Sequence, residues 1–119
     1  MTKLIKILCS TLTIFTIIIF VGAYFTLKCE QIDASANIRT YQDALWWSLN
    51  ASSIGDSNVY PVTIPGRIVG AFLIVIGYGL FTINVGTISA GLVHLLKERN
   101  KESAIELFEE MFDVKKRKK

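Results

Sequence analysis

Two long apolar runs, residues 4–27 and 68–96, bracket a polar middle and are followed by a charged end. The first run carries one charge, Lys6, and the second contains no Asp, Glu, Lys or Arg. About 20 apolar helical residues cross a ~30 Å hydrocarbon core, so each run is long enough to span one. Between them, Lys28 to Thr40 is polar and reads as an exposed turret. Thr40, with Asp43 three residues on, is a weaker form of the capping box and predicts a short helix from Tyr41 to about Ala51. The run Ser52-Ser53-Ile54-Gly55-Asp56-Ser57-Asn58 follows, built from residue types that favour turns. Pro61 and Pro65 are expected to break the return, and Gly66-Arg67 to start the second run. After Leu96, Ala104, Ile105, Phe108, Met111 and Phe112 recur at helical spacing, with Glu102, Glu106, Glu109 and Glu110 elsewhere on the wheel. That pattern predicts a short amphipathic helix, able to bundle with its copies or to lie on a membrane.

A short helix, a polar loop and a Pro-containing return between two spans make a re-entrant hairpin. Non-helical backbone is tolerated at membrane depth only where protein buries it or a water-filled cavity meets it. The polar stretch is therefore a pore candidate. Ser53 to Gly55 offer a hydroxyl and successive backbone carbonyls, the groups a cation needs on losing its water. Gly55 permits backbone conformations that a Cβ opposes, whereas Ser57 takes up a positive φ less readily. Asp56 has two readings, an outer-mouth carboxylate that attracts cations including calcium, and a turn cap through its own side chain. Trp46 and Trp47 cannot face the same way. One is expected on the polar loop and the other on a neighbouring helix, with interfacial anchoring of both as the alternative. The C-terminal end of the short helix carries partial negative charge, which suits a cation.

Composition supports a membrane protein of one domain: 119 residues, 51% hydrophobic and 19% charged, with a mean hydropathy of +0.44. The net charge of +3 hides an asymmetry, because ten of the thirteen basic residues flank the outer ends of the two runs. Only Lys28, Arg39 and Arg67 lie between them. The positive-inside rule then puts both termini in the cytoplasm and residues 28–67 outside. The terminal Lys-Lys-Arg-Lys-Lys favours anionic lipids or simple solvation over nucleic acid, which is not an expected partner. Cys9 and Cys29 stand ~30 Å apart along a helix and cannot pair within one chain. A secretion signal over residues 1–27 is disfavoured by the length of the run and the lack of a small-x-small cleavage site. With one His and no paired carboxylates, no catalytic constellation is visible and no cofactor is expected.

The chain resembles the pore module of two-transmembrane bacterial potassium channels. Tyr41, Ala44-Leu45-Trp46-Trp47-Ser48, Tyr60-Pro61-Val62-Thr63 and Gly66-Arg67 carry the resemblance, which covers about residues 41–96. It implies an all-α membrane protein in which four chains surround a central axis. Its parts would be an outer transmembrane helix (1–27), an extracellular turret (28–40) and a pore helix with filter and return loop (41–67). An inner transmembrane helix (68–96) and a cytoplasmic amphipathic helix with basic tail (97–119) would complete it. The filter would be Ser53, Ile54, Gly55, Asp56, Ser57 and Asn58, supported by Trp46, Trp47 and Tyr60. Potassium channels carry Thr-Val-Gly-Tyr-Gly-Asp there. Asp56 and Asn58 are instead similar to the weakly selective NaK-type channels, whose filter reads Thr-Val-Gly-Asp-Gly-Asn. Ser57 departs even from those, and one residue fewer stands between Trp47 and Ser53 than in the family.

The resemblance also makes Gly77, with Gly79 beside it, a gating hinge, although close helix packing explains small residues equally well. Phe81, Val85 and Ser89 share one helical face and are candidates to line a cavity, with ordinary packing as the alternative for Phe81. Asn84 suggests contact with water or another helix, and His94 is read as interfacial. The expected function is a tetrameric channel in the plasma membrane passing potassium and sodium with weak selectivity, and binding calcium at the outer mouth through Asp56. The alternative is a non-conducting two-span membrane adaptor acting through its cytoplasmic helix.

Overall fold

Three helices account for nearly all of the chain: α1 (Thr2–Glu30), α2 (Tyr41–Ser52) and α3 (Ile64–Arg117). The computed structural model describes residues 1–53 and 55–117. Ile54, an expected filter position, and Lys118 and Lys119 of the tail lie outside the described residues. By length and composition α1 and α3 are both able to cross a membrane, which agrees with the two apolar runs.

Most of α1 is exposed in the single chain. Its buried residues, Ile19, Ala23, Thr26 and Glu30, form one narrow stripe at helical spacing. The threonines elsewhere on α1 donate inward, Thr13 to Cys9 O (2.8 Å) and Thr16 to Leu12 O (2.9 Å). A hydroxyl bonded to its own helix can face hydrocarbon without an unmet donor. Thr11 Oγ1 lies 2.8 Å from Ile7 O in the same way and also 2.6 Å from Asn84 Oδ1 of α3, so its one hydrogen is shared between its own helix and the bundle. This is the interhelical contact that Asn84 suggests from sequence.

The segment between α1 and α2 is less exposed than its polarity implies. Ala36 and Ile38 are buried, and Ile38 packs in a core cluster with Ala23, Ala44, Trp47 and Leu73. Arg39 fastens the loop by donating to Ala34 O (2.7 Å) and Ala36 O (3.0 Å). α2 then opens with a complete capping box: Asp43 N–H donates to Thr40 Oγ1 and Thr40 N–H to Asp43 Oδ2, both at 3.1 Å. The reciprocal pair satisfies two donors that a helix start otherwise leaves open.

α3 begins at Ile64, earlier than residue 68, and Pro65 sits inside its first turn rather than breaking the chain before it. An N–H missing in the first turn has no intrahelical partner to lose. Nor is the amphipathic segment after Leu96 a separate element, because α3 runs through it to Arg117. Nothing from Leu92 to Arg117 is glycine or proline, so no residue there terminates the helix. Its 54 residues correspond to ~80 Å of helix, close to the 89 Å long axis of the molecule.

Close approaches hold α3 against its neighbours. A Cβ on Gly22 would lie 2.6 Å from Leu73 Cδ1, and one on Gly70 would lie 2.7 Å from Trp47 Cη2. One on Gly77 would lie 2.5 Å from Ser52 Cβ. Small residues at such crossings let helices pack with their backbones close.

Candidate functional site

The polar loop after α2 is placed by contacts along α3. Trp47 and Pro61 both meet Gly70, and Ser52, at the end of α2, meets Gly77. Seven residues of helix separate those levels by ~10 Å. The chain therefore runs along α3 as far as Gly77 and, after the polar loop, comes back past Gly70 to the start of α3. Gly77 lies well inside the charge-free stretch 68–96.

Within the loop, several polar groups are turned back on their own backbone. Ser53 N–H and Ser53 Oγ both bond Leu49 O, at 3.1 and 2.7 Å. Asn50 Nδ2 donates to Trp46 O (2.7 Å), and Gly55 N–H to Asn50 O (3.2 Å). These bonds occupy carbonyls at the C-terminal end of α2 that would otherwise carry its partial charge. The Ser53 hydroxyl, as a donor, keeps its oxygen lone pairs free for a cation. Asp56 Oδ1 accepts from Ser57 N–H at 2.9 Å, and Ser57 Oγ from Val59 N–H at 3.3 Å. Gly55, Asp56 and Asn58 remain exposed, as does Tyr60.

The reason for glycine at position 55 differs from the sequence argument. No described residue has a positive φ, so neither Gly55 nor Ser57 occupies the left-handed region. A Cβ on Gly55 would instead lie 2.9 Å from Asn50 Cγ and 3.1 Å from Asn50 Cα. The requirement is room beside Asn50.

The two tryptophans diverge. Trp47 is buried in the core cluster against α3, whereas Trp46 is 54% exposed. Trp46 lines an apolar groove of about 510 Å³ with Phe15, Ile19, Phe20 and Leu49. Gly77 is held by Ser52, while a Cβ on Gly79 would meet nothing within 4 Å. Phe81 packs on Phe15 of α1 with ring centroids 6.4 Å apart. Its ring therefore lies on the α1 side of α3, apart from Val85 and Ser89, which stay exposed. Three fully buried hydroxyls, Thr26 Oγ1, Ser48 Oγ and Ser52 Oγ, have no hydrogen-bond partner among the described residues. Among the described residues no group of three or more His, Cys, Asp or Glu is placed to hold a metal. Within one chain Asp56 is therefore a single carboxylate.

Glu30 is the residue that sequence reasoning missed. It ends α1, is fully buried, and its carboxylate collects three donors from the start of α3. Val62 N–H bonds Oε2 at 2.9 Å, and Thr63 N–H and Thr63 Oγ bond Oε1 at 3.1 and 2.6 Å. Thr63 Oγ1 in turn accepts from Gly66 N–H at 3.0 Å, the N-cap bond of α3. Asn37 makes a similar tie, its Oδ1 accepting from Tyr60 N–H at 3.0 Å. A Thr two residues before a Pro is a readable helix-start signal, but nothing local points from Thr63 to Glu30. Asp33 and Asp43 both lie below the ordinary carboxylate range. Hydrogen bonds from the Ser35 side chain and backbone lower Asp33, and those with the Thr40 side chain, then its backbone, lower Asp43.

Residues 7–93 match a family described as ion channels. A protein of Aeropyrum pernix named voltage-gated potassium channel is 32% identical over 69 residues, 57% of this chain and 23% of that protein. The calcium-gated potassium channel TvoK of Thermoplasma volcanium is 32% identical over 86 residues, 71% of this chain and 25% of that protein. Human potassium voltage-gated channel subfamily KQT member 4 is 27% identical over 93 residues, 77% of this chain and 13% of that protein. The chain spans a quarter or less of the length of these relatives.

Proposed function

The chain belongs to the ion-channel family, and on that premise we propose that four copies surround a central pore that passes potassium and sodium with weak selectivity. The observation that carries the reading is the loop at residues 53–58. Ser52, which leads into it, meets α3 at Gly77, about a third of the way into the charge-free stretch 68–96, and Gly55, Asp56 and Asn58 are exposed on the single chain. α2 is then the pore helix and residues 53–58 the filter, with Trp47 supporting it by fixing α2 on α3. Names of relatives favour potassium as a permeant ion. Sodium enters through Asp56-Ser57, which replaces the Tyr-Gly pair of potassium channels and leaves fewer carbonyl rings to discriminate.

Gly79, which has free space around it, is the better hinge of the two glycines, and Gly77 is the contact that holds the pore helix. Val85 and Ser89 face the cavity, with Phe81 contributing at its edge. Calcium takes six to eight oxygens. A calcium site at the mouth therefore needs Asp56 from all four chains. The charge asymmetry places both termini in the cytoplasm of a plasma-membrane protein.

Reversal potentials of reconstituted protein under bi-ionic conditions test the proposal. A 100-fold preference needs ~2.7 kcal/mol between the ions, at ~1.36 kcal/mol per tenfold step. Less than half of that is expected, a potassium preference under ~10-fold. A near-ideal potassium reversal potential would overturn weak selectivity, and absence of flux would overturn the channel reading.

A further inference from the structure

We infer that Thr11 and Asn84 form a releasable latch, which holds α3 beyond Gly79 against α1 in its unbent, closed form and lets go when the helix bends to open the pore. The inference deepens the channel reading above and rests on it, with Gly79 as the bending point. Contact along α3 changes character at that glycine. On its outer side, Cβ atoms on Gly66, Gly70 and Gly77 would all press on neighbouring segments, whereas on Gly79, Gly86 and Gly91 they would meet nothing within 4 Å. Beyond Gly79 the two long helices meet along one seam. Phe81 packs on Phe15, and Asn84 Oδ1 lies 2.6 Å from Thr11 Oγ1. Residues 11 and 15 share a face of α1, as 81 and 84 share a face of α3. Among the described residues, Thr11–Asn84 is the one hydrogen bond between α1 and α3.

The chemistry of the pair suits a contact that breaks and reforms. Thr82, Thr87 and Ser89 all return their hydroxyls to carbonyls of α3 itself. Asn84 differs. Its Nδ2 donates to Leu80 O at 3.0 Å, which leaves Oδ1 for α1. At 5% exposure that oxygen needs a donor, because an unmet polar group is costly away from water. Thr11 has one hydrogen to give, with Asn84 Oδ1 on one side and Ile7 O (2.8 Å) and Leu8 O (3.2 Å) of its own helix on the other. While α3 is in contact, the hydrogen serves Asn84. Once α3 moves away, it returns wholly to Ile7 O, as in Thr13 and Thr16. Release therefore leaves one acceptor open and no donor, a smaller cost than a bond broken at both ends.

Open probability of the full chain in planar bilayers tests this. From the strength of hydrogen bonds between membrane helices, Thr11→Val and Asn84→Leu should each raise the open-to-closed ratio about threefold to twentyfold. Thr11→Ser keeps the hydroxyl and should match the parent, and the double variant should exceed neither single one. An unchanged ratio in Thr11→Val, or a double effect equal to the product of the single ones, would overturn the latch. A bond with a structural role alone would show in unfolding and leave the ratio unmoved. The second readout needs no conduction. Leu4 and Leu92 line one groove between the helices, so bimane on Leu92→Cys is quenched by Leu4→Trp when α1 and α3 touch, in a background with Cys9→Ser and Cys29→Ser. Thr11→Val should raise the ratio of unquenched to quenched bimane by the same factor, and equal ratios would overturn the latch. Flux with an unmoved ratio overturns the latch and leaves the channel. Absence of flux with a raised bimane ratio overturns the channel and supports the releasable contact.

Discussion

Removing Glu30 should unlatch α1 from the start of α3. Glu30 is fully buried, and its two carboxylate oxygens receive two backbone N–H groups and the Thr63 hydroxyl. Hydrogen bonds to charged acceptors are worth ~1.5–3 kcal/mol each, and donors left unmet in a buried site carry their own desolvation cost. The N-terminal end of a helix adds up to ~2 kcal/mol for a carboxylate in partly buried geometry. The three bonds act as one unit, so they do not add in full. We expect Glu30→Ala to lower stability by ~3–4 kcal/mol. Glu30→Gln keeps one oxygen acceptor but turns an amide NH2 toward N–H donors, and should lose about half as much. Gly66→Ala reaches the same latch from the other side, because its Cβ would press on the Glu30 carboxylate and lie 2.8 Å from Thr63 Oγ1. Unfolding of the full chain in mixed micelles, followed by tryptophan fluorescence, measures all three and the Glu30→Ala, Gly66→Ala double variant. The double variant should cost clearly less than the two single losses combined. A Glu30→Ala protein within ~0.5 kcal/mol of the parent, the level of an ordinary surface change, would refute the latch.

The two mid-helix glycines should separate by stability. Gly77→Ala forces Ser52 to shift and should cost ~1–3 kcal/mol by overpacking, whereas Gly79→Ala should be neutral or gain up to ~1 kcal/mol of helix propensity; equal effects would remove the packing argument. Asp56→Asn should weaken block by external calcium in bilayer recordings, and unchanged block would leave Asp56 as a turn residue only. The lowered pKa of Asp43 sets a pH window. A depressed folded pKa contributes stability above the unfolded value of ~3.9, and that contribution is lost as pH falls through the folded value. The stability difference between parent and Asp43→Ala should therefore be steady from neutral pH to ~5 and shrink below ~4. A difference that stays constant into acid would mean that the capping box does not depend on the carboxylate charge.

How much of this was legible in the sequence follows the range of the interactions involved. Local signals read well. The Thr40–Asp43 box is a three-residue pattern, and α2 starts where it says. The apolar runs are long enough that two spanning helices are legible, although the ends of α3 are not. Pro65 was read as a breaker because proline removes an N–H, but in the first turn of α3 that N–H has no partner to lose. The continuity of α3 past Leu96 was hidden by the change from apolar to charged composition, which alters the solvent of a helix without ending it. Contacts between distant segments were not legible. Glu30 and Thr63 are both ordinary polar residues beside apolar runs, and only the return of the chain brings them together. Ile38 is one of two isoleucines in a polar loop, and only the fold closes Ala23, Ala44 and Trp47 around it.

Glycine spacing on α3 separates the frame of the hairpin from its tip. Gly66, Gly70 and Gly77 mark three levels at which the rest of the chain comes close to α3, at the Glu30 latch, at Trp47 with Pro61, and at Ser52. Among the described residues of the tip, 53 and 55–58, none makes these contacts. The depth of the hairpin is therefore fixed at both ends before its tip is specified, by Ser52 on the way in and by Pro61 and Thr63 on the way out. Within that fixed span the tip closes through local bonds, Ser53 and Gly55 back to α2 and Ser57 to Val59. If residues 53–58 form the proposed filter, ion preference and architecture rest on different residues, and substitutions at positions 55–58 should alter the first at little cost to the second.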